Sequence, residues 1–169
     1  MRLIYFFIIL FFLFSSCSST WRRKLSTTRI DYTGTELQTD GFYYNKNFGT
    51  FILYKNGIYL GGYSAIEGVN SVEGVLGFWQ NSHFLSDYTK DPTNWGIFKV
   101  NNNSIMVEKW FGRNWGEPLQ VARITGKILN DSTLVMTEAF FPPQHKVISD
   151  TFHFYPMWLK PDSANPFIK

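Results

Sequence analysis

The segment 51-FILYKNGIYLGG-62 decides the fold class. In it, two short apolar stretches at 51–55 and 58–61 flank the dipeptide Asn56-Gly57. Asn-Gly is the pair that most readily adopts the two positive φ angles of a type I′ turn, which joins neighbouring antiparallel strands. We therefore predict a tight β-hairpin here, with a type I′ turn at its tip.

Similar apolar and aromatic stretches recur along the chain at intervals of about ten residues. Turn-forming Asn, Asp and Gly residues separate them, as at 101–103 and 130–132. The predicted strands are 37–44, 51–55, 58–61, 94–100, 104–110, 119–129, 133–140 and 147–155. Because consecutive hairpins make a meander whose edges can pair with each other, we predict an all-β, antiparallel barrel of about eight strands, closed or nearly closed.

One interruption breaks this pattern between residues 63 and 94. After Asn70-Ser71, a candidate N-cap, the apolar residues Val72, Leu76 and Trp79 fall at helical spacing. We predict a short helical insertion, placed where it would close one end of the barrel.

Alternation along two strands predicts which side chains face the interior. In the strand 119–129, one face is apolar and carries Ala122, Ile124, Gly126 and Ile128. In the strand 104–110, by contrast, Glu108 and Lys109 fall on opposite faces, so neither face is wholly apolar. This mixture is typical of a barrel with a partly polar lumen.

The N-terminus has the layout of a secretory signal. Arg2 precedes the apolar run LIYFFIILFFLF at 3–14, which is short for a membrane-spanning helix. The stretch LFSSC, ending at Cys17, resembles a bacterial lipobox, in which a peptidase cleaves before a Cys whose thiol carries a diacylglycerol. We expect palmitate-type acyl chains on Cys17 to anchor the mature protein to a membrane. An uncleaved anchor and an ordinary signal peptide are the alternatives.

These features divide the chain into a lipoprotein signal peptide at 1–16, a lipidated Cys with a flexible tether at 17–36, and a β-barrel-like domain at 37–169. The tether is rich in Ser and Thr and has no periodicity. Its basic residues Arg22, Arg23 and Lys24 either meet anionic lipid head groups or are simply solvated. The residues after Cys17 lack both the Asp that retains lipoproteins in the inner membrane and the acidic run of surface-exported ones, so by resemblance we expect the periplasmic face of the outer membrane.

Composition and motifs exclude several functional classes. The chain has 16 Lys and Arg against 13 Asp and Glu, a formal net charge of +3, which is too small for a nucleic-acid binder. No G-x-S-x-G elbow, phosphate-binding loop or His/Cys cluster occurs, so we predict no catalytic residues, no metal, no cofactor and no enzymatic activity. Glu108 and Glu138 lie on predicted strands, where salt bridging is favoured over glycoside chemistry.

Aromatic residues are the main excess, at 19% of the chain. Most are expected to fill the core of a β-domain. The segment 110-WFGRNWG-116, however, places two Trp and one Arg in a single loop, which is more than a turn requires. We predict that Trp110, Arg113 and Trp115 stand at one end of the barrel and form the mouth of a pocket inside it, for a small apolar or amphipathic ligand.

Several segments carry a resemblance to small uncharacterised lipoproteins of Bacteroidota: the lipobox, DGFYY at 40–44, NWGIFKV at 94–100, EKW at 108–110 and KPDS at 160–163. The meander more distantly resembles the lipocalin-like (calycin) barrels. That second resemblance implies binding of a small hydrophobic ligand; the alternative is a structural or assembly lipoprotein that docks an envelope protein. Ser132 and Ser163 lie in segments that resemble Bacteroidota O-glycosylation acceptors. The alternative is that the first segment is an ordinary turn and the second an ordinary part of the C-terminal tail.

Overall fold

The computed structural model describes residues 22–62, 71–114 and 116–169. Eight antiparallel strands form one closed barrel in chain order, which confirms the predicted fold class. The strands are β1 Gly41–Asn45, β2 Gly49–Leu53, β3 Ile58–Gly62, β4 Trp95–Asn101, β5 Ser104–Phe111, β6 Gln120–Asn130, β7 Thr133–Phe141 and β8 Gln144–Pro156. β8 closes the barrel by pairing with β1, from Gly41 opposite Pro156 to Tyr44 opposite His153.

The β2–β3 hairpin forms where the sequence predicts it, but the predicted type I′ turn is wrong. Gly57 is in the left-handed region with φ 79°, whereas Asn56 is not. The Gly57 N–H donates to the Tyr54 carbonyl at 2.9 Å, and the Tyr54 N–H donates to the Ile58 carbonyl at 2.9 Å. This pattern is a type I turn followed by a glycine bulge, the usual form of a three-residue hairpin loop.

Side chains from all eight strands fill the barrel interior. The lumenal cluster includes Tyr43, Phe51, Tyr59, Phe98, Val107, Ile124, Met136 and Phe152. The predicted apolar face of β6 is confirmed, since Ala122, Ile124 and Ile128 are all buried and Ile124 and Ile128 belong to the lumenal cluster. The cavity left among these side chains is about 10 Å³, the space of a single water molecule.

The insertion between β3 and β4 packs on the outer wall instead of across the barrel end. It contains α1 Val72–Gln80, α2 Ser82–Tyr88 and a 3₁₀ turn at Pro92–Asn94, and Ser71 caps α1 as predicted. Trp79 on α1 is fully buried, and its indole N–H donates to the Thr50 hydroxyl at 3.2 Å. The outer face of β1–β3 carries the apolar residues Phe42, Ile52 and Leu60. These side chains point away from the lumen, and the insertion buries them against its own apolar residues. Residues 63–70, the start of the predicted insertion, lie outside the described residues.

The stretch predicted as a flexible tether runs along the barrel from 22 to 36. It has no regular structure, yet it is held by specific contacts, such as the Tyr32 N–H donating to the Lys55 carbonyl at 2.6 Å. Tyr32 and Leu37 then join the lumenal cluster, and the Tyr32 ring lies 5.7 Å from that of Phe98. The stretch therefore covers the wall and closes the end of the barrel that holds the β2–β3 turn. Within the described ranges, no helix is both long and apolar enough to cross a membrane.

Candidate functional site

A groove of about 530 Å³ lies outside the barrel, between the two ends of the chain. One side is formed by 22–29, the other by 166–169, and the floor by outward-facing residues of β4 and β5. We call it the terminal groove, and its lining is Arg22, Arg23, Lys24, Leu25, Ser26, Thr27, Thr28, Arg29, Ile97, Trp110, Pro166, Phe167, Ile168 and Lys169. It has the size of an ordinary small-molecule site.

The carboxylate of Glu108 on β5 fixes one wall of the groove. It accepts the Ser26 N–H at 3.0 Å and the Thr27 N–H at 2.8 Å, and also the Ser26 hydroxyl. Arg123 on β6 neutralises it, with guanidinium nitrogens at 2.6 and 3.2 Å from the carboxylate. Burial alone would raise the pKa of Glu108, but the hydrogen bonds from Ser26, Arg123 and Thr27 outweigh it and lower the pKa to about 2. A charged Glu108 thus holds the N-terminal segment on the barrel at neutral pH.

Trp110, near the end of β5, holds the same segment at Arg23, which precedes Ser26 and Thr27 in the chain. Its indole N–H donates to the Arg23 carbonyl at 2.7 Å, and the Arg23 N–H donates to the Leu119 carbonyl at 2.9 Å. Trp110 is buried. Its ring therefore serves as floor for the groove and as a support for Arg22.

The guanidinium of Arg22 lies between two aromatic rings. Its central carbon is 5.2 Å from the ring centroid of Trp110 and 4.8 Å from that of Phe167. Both distances are within the range of cation–π attraction. The Nη1 atom is buried and has no hydrogen-bond partner in the described structure. A buried donor without a partner is uncommon in folded proteins, so the guanidinium keeps hydrogen-bonding capacity that the described part of the chain does not use.

The charged side chains that line the terminal groove are all basic. They are Arg22, Arg23, Lys24, Arg29 and Lys169, and no Asp or Glu side chain lines it. Ile97 and Trp110 form the apolar floor beneath them, and Phe167 adds apolar surface on one side. A ligand that matches this surface has an anionic head and an apolar body.

Of the three residues predicted to form the ligand mouth, the structure places only Trp110 in the lining of this groove. Trp110 lines the groove, whereas Arg113 is exposed in the loop after β5, and Trp115 lies outside the described residues. Arg22, not Arg113, stacks on Trp110. The sequence identifies Arg22 as a basic residue near the predicted anchor but does not link it to Trp110 or Phe167, since residues so far apart in sequence meet only in the fold. The predicted lipidation site, Cys17, also lies outside the described residues.

Other candidate groups lie apart from one another. Glu108 is buried on the outer wall, while Glu138 is exposed there and lies 3.6 Å from the His145 imidazole, so the two carboxylates share no pocket. Lys109 points into the lumen, where its ammonium donates to the Gly61 carbonyl at 2.8 Å. Burial lowers the pKa of Lys109 to about 8. In the described ranges, no group of three or more His, Cys, Asp or Glu side chains is placed to hold a metal ion.

Comparisons with known proteins do not assign this chain to a family. A scan against family models, a search of curated proteins and a search of solved structures each found no match. The eight-stranded antiparallel barrel is an architecture that lipocalins share, but one fold serves many functions. Function is therefore inferred from the terminal groove itself.

Proposed function

We propose that this chain is a membrane-anchored lipoprotein of the bacterial cell envelope, acylated at Cys17, that binds a small amphipathic ligand without catalysing a reaction. The ligand site is the terminal groove on the outer wall of the barrel. Periplasmic exposure at the outer membrane, which the sequence after Cys17 favours, is part of the same proposal.

The contrast between the groove and the lumen carries the proposal. Pockets for small ligands usually measure about 300–1,000 Å³. The terminal groove offers about 530 Å³, whereas the lumen retains only about 10 Å³. A ligand can therefore enter the groove without moving the core, but it would have to displace several buried aromatic side chains to enter the lumen.

The position of the groove along the chain supports the same ligand class. Arg22 follows Cys17 by five residues, which span at most about 17 Å when fully extended. With the anchor in the bilayer, the groove lies within reach of the lipid surface. An amphiphile leaving that surface would meet the basic rim first and the apolar floor second.

Native mass spectrometry of the acylated protein, purified from its host envelope in a neutral detergent, tests this proposal. We expect a non-covalent small-molecule adduct on the wild type, and its loss on Phe167→Ala, which removes one wall of the groove. The matched control is Phe84→Ala, an exposed phenylalanine on α2 outside the groove, which should retain the adduct. An adduct that persists in Phe167→Ala, or no adduct at all, would contradict the proposal.

A second candidate function is docking of an envelope protein. The observation that favours it is the pair Trp158 and Leu159, which follow β8 and are 100% and 73% exposed. An exposed Trp of this kind is a frequent anchor in protein interfaces. Cross-linking in the host envelope tests it: a protein partner captured by the wild type should be lost in Trp158→Ala.

A further inference from the structure

We infer that the terminal groove takes an amphiphile whose head group is a phosphate, with Arg22 as the principal partner of that phosphate. The inference rests on the proposed function and adds to it the chemical class of the head group and the residue that recognises it.

The guanidinium of Arg22 lies against the rings of Trp110 and Phe167, with its central carbon 5.2 and 4.8 Å from their centroids. Its Nη1 atom makes no hydrogen bond in the described part of the chain. The edge of a guanidinium presents parallel N–H donors whose spacing fits two oxygens of one phosphate or carboxylate. The side chain is thus held ready for an oxyanion.

The positive charge of the groove favours a phosphate over a carboxylate. Five basic side chains line the groove. The carboxylate of Glu108, next to the groove wall, is already committed to Arg123, Ser26 and Thr27. No acidic side chain of the groove lining therefore neutralises these five basic groups. A phosphate monoester carries about −1.5 to −2 charges near neutral pH, twice that of a carboxylate, and so matches this excess better.

The groove also has exposed apolar surface. Leu25, Phe167 and Ile168 line it and are only half-buried, so they would stay in contact with water if a free phosphate ion bound alone. An alkyl chain attached to the phosphate would cover them, and each buried methylene strengthens binding by about fourfold. This apolar surface thus distinguishes a lipid-like phosphate from inorganic phosphate.

Isothermal titration calorimetry on the acylated protein in dodecyl maltoside micelles tests the inference. The probes are butyl phosphate, inorganic phosphate and butyrate, each soluble as a monomer. We expect butyl phosphate to bind at least tenfold more tightly than either of the others. We also expect weaker binding of butyl phosphate at high salt, because the rim is electrostatic.

Variants locate the head group and the chain separately. Arg22→Gln should weaken both butyl phosphate and inorganic phosphate at least tenfold, and Arg22→Lys, which keeps the charge but not the paired donors, should weaken them less. Phe167→Ala should weaken butyl phosphate only. Lys46→Gln, which removes a positive charge from the exposed β1–β2 turn, is the control and should change affinity by less than twofold.

Each remaining outcome overturns a defined part of the inference. Equal affinity for butyl and inorganic phosphate would make the groove a free-phosphate site, and equal affinity for butyrate would remove the phosphate assignment. Unchanged binding of butyl phosphate by Arg22→Gln would exclude Arg22 as the partner of the phosphate. The proposed function would still stand if the adduct seen by mass spectrometry is lost in Phe167→Ala. Failure of every probe, with no adduct on the purified protein, would overturn the inference and the proposed function together.

Discussion

The carboxylate of Glu108 accepts the backbone N–H of Thr27 at 2.8 Å, which ties the N-terminal segment to the outer face of β5. This contact explains why β5 has no purely apolar face. Val107 and Lys109 face the lumen, while Glu108 faces a segment whose backbone N–H groups it satisfies. Both faces of the strand are covered, one by the core and the other by the chain that leads to the predicted anchor.

Replacing Glu108 should release the segment 22–29. We expect Glu108→Gln to lower the free energy of unfolding by about 1–3 kcal/mol, because buried donors lose a charged acceptor. Hydrogen exchange at the amides of Ser26 and Thr27 should also speed up. Glu138→Gln, the same change at an exposed site on β7, is the control and should cost less than about 0.5 kcal/mol. Equal effects of the two variants would mean that Glu108 does not hold the segment.

The same contact should depend on pH. The folded pKa of Glu108 is about 2 against a usual value of 4.5, so the unfolded chain binds more protons between these values. Its contribution to stability is therefore complete above about pH 4.5 and is lost as the pH falls towards 2. Urea unfolding of the wild type and Glu108→Gln across this interval should show the two stabilities converging as the pH falls. A constant difference would contradict the assignment.

The buried Lys109 should also make stability rise with pH, but in a higher pH range, because here the charged form is the one that folding disfavours. Burial lowers the pKa of Lys109 to about 8 from 10.5, so the unfolded chain binds more protons between these values. Stability should accordingly rise with pH above 8, by at most about 1.4 kcal/mol per pH unit. Lys109→Met should remove this rise. Denaturation at pH 8 and 9.5, below the range where tyrosines ionise, measures the difference; an identical slope in both proteins would show that Lys109 is not the group responsible.

The glycine bulge of the first hairpin should be sensitive to any side chain. Gly57 has φ 79°, and a Cβ there would lie 2.2 Å from the Ile30 carbonyl oxygen. We expect Gly57→Ala to destabilise the protein by about 1–3 kcal/mol. Gly77→Ala, on the exposed side of α1 where no heavy atom lies within 4 Å of the added Cβ, should be neutral or stabilising. Thermal melts compare the two, and equal melting temperatures would contradict the bulge geometry.

The anchor prediction is tested through Cys17. Labelled palmitate should enter the wild-type protein in its host, whereas Cys17→Ser should take up none and should accumulate as a larger precursor, because the lipoprotein peptidase requires an acylated Cys. A wild-type protein that remains unlabelled would exclude lipidation, and the membrane-anchored part of the proposed function with it.

Local patterns in the sequence predict most of the barrel. Alternation of Ala122, Ile124 and Ile128 depends only on strand geometry, and it identifies the lumenal face of β6 directly. The local sequence does not fix the turn type at Asn56-Gly57, since the same pair suits both a type I′ turn and a type I turn with a bulge. Here the Asn56 side chain donates to Ser163 of the C-terminal tail at 2.9 Å, a contact that no local pattern reveals.

The terminal groove depends on tertiary contacts, and the sequence predicts it only in part. Trp110 was identified because a Trp-rich loop is unusual, but Arg22 and Phe167 come from opposite ends of the chain. Neither lies in a periodic element, so nothing in the spacing indicates that they meet. The sequence does not predict helix α2 because the helix has only seven residues, and its apolar residues Leu85 and Tyr88 are only partly buried against the outer wall.

Hydrogen-exchange mass spectrometry of the acylated protein with and without butyl phosphate tests most directly whether the ligand site is the terminal groove. We predict slower exchange in peptides covering 22–29 and 166–169, with no change in strands β2, β3 and β8, which face the lumen but do not line the groove. Protection confined to those strands would place the ligand inside the barrel, and no protection anywhere would mean that the groove does not bind this class of ligand.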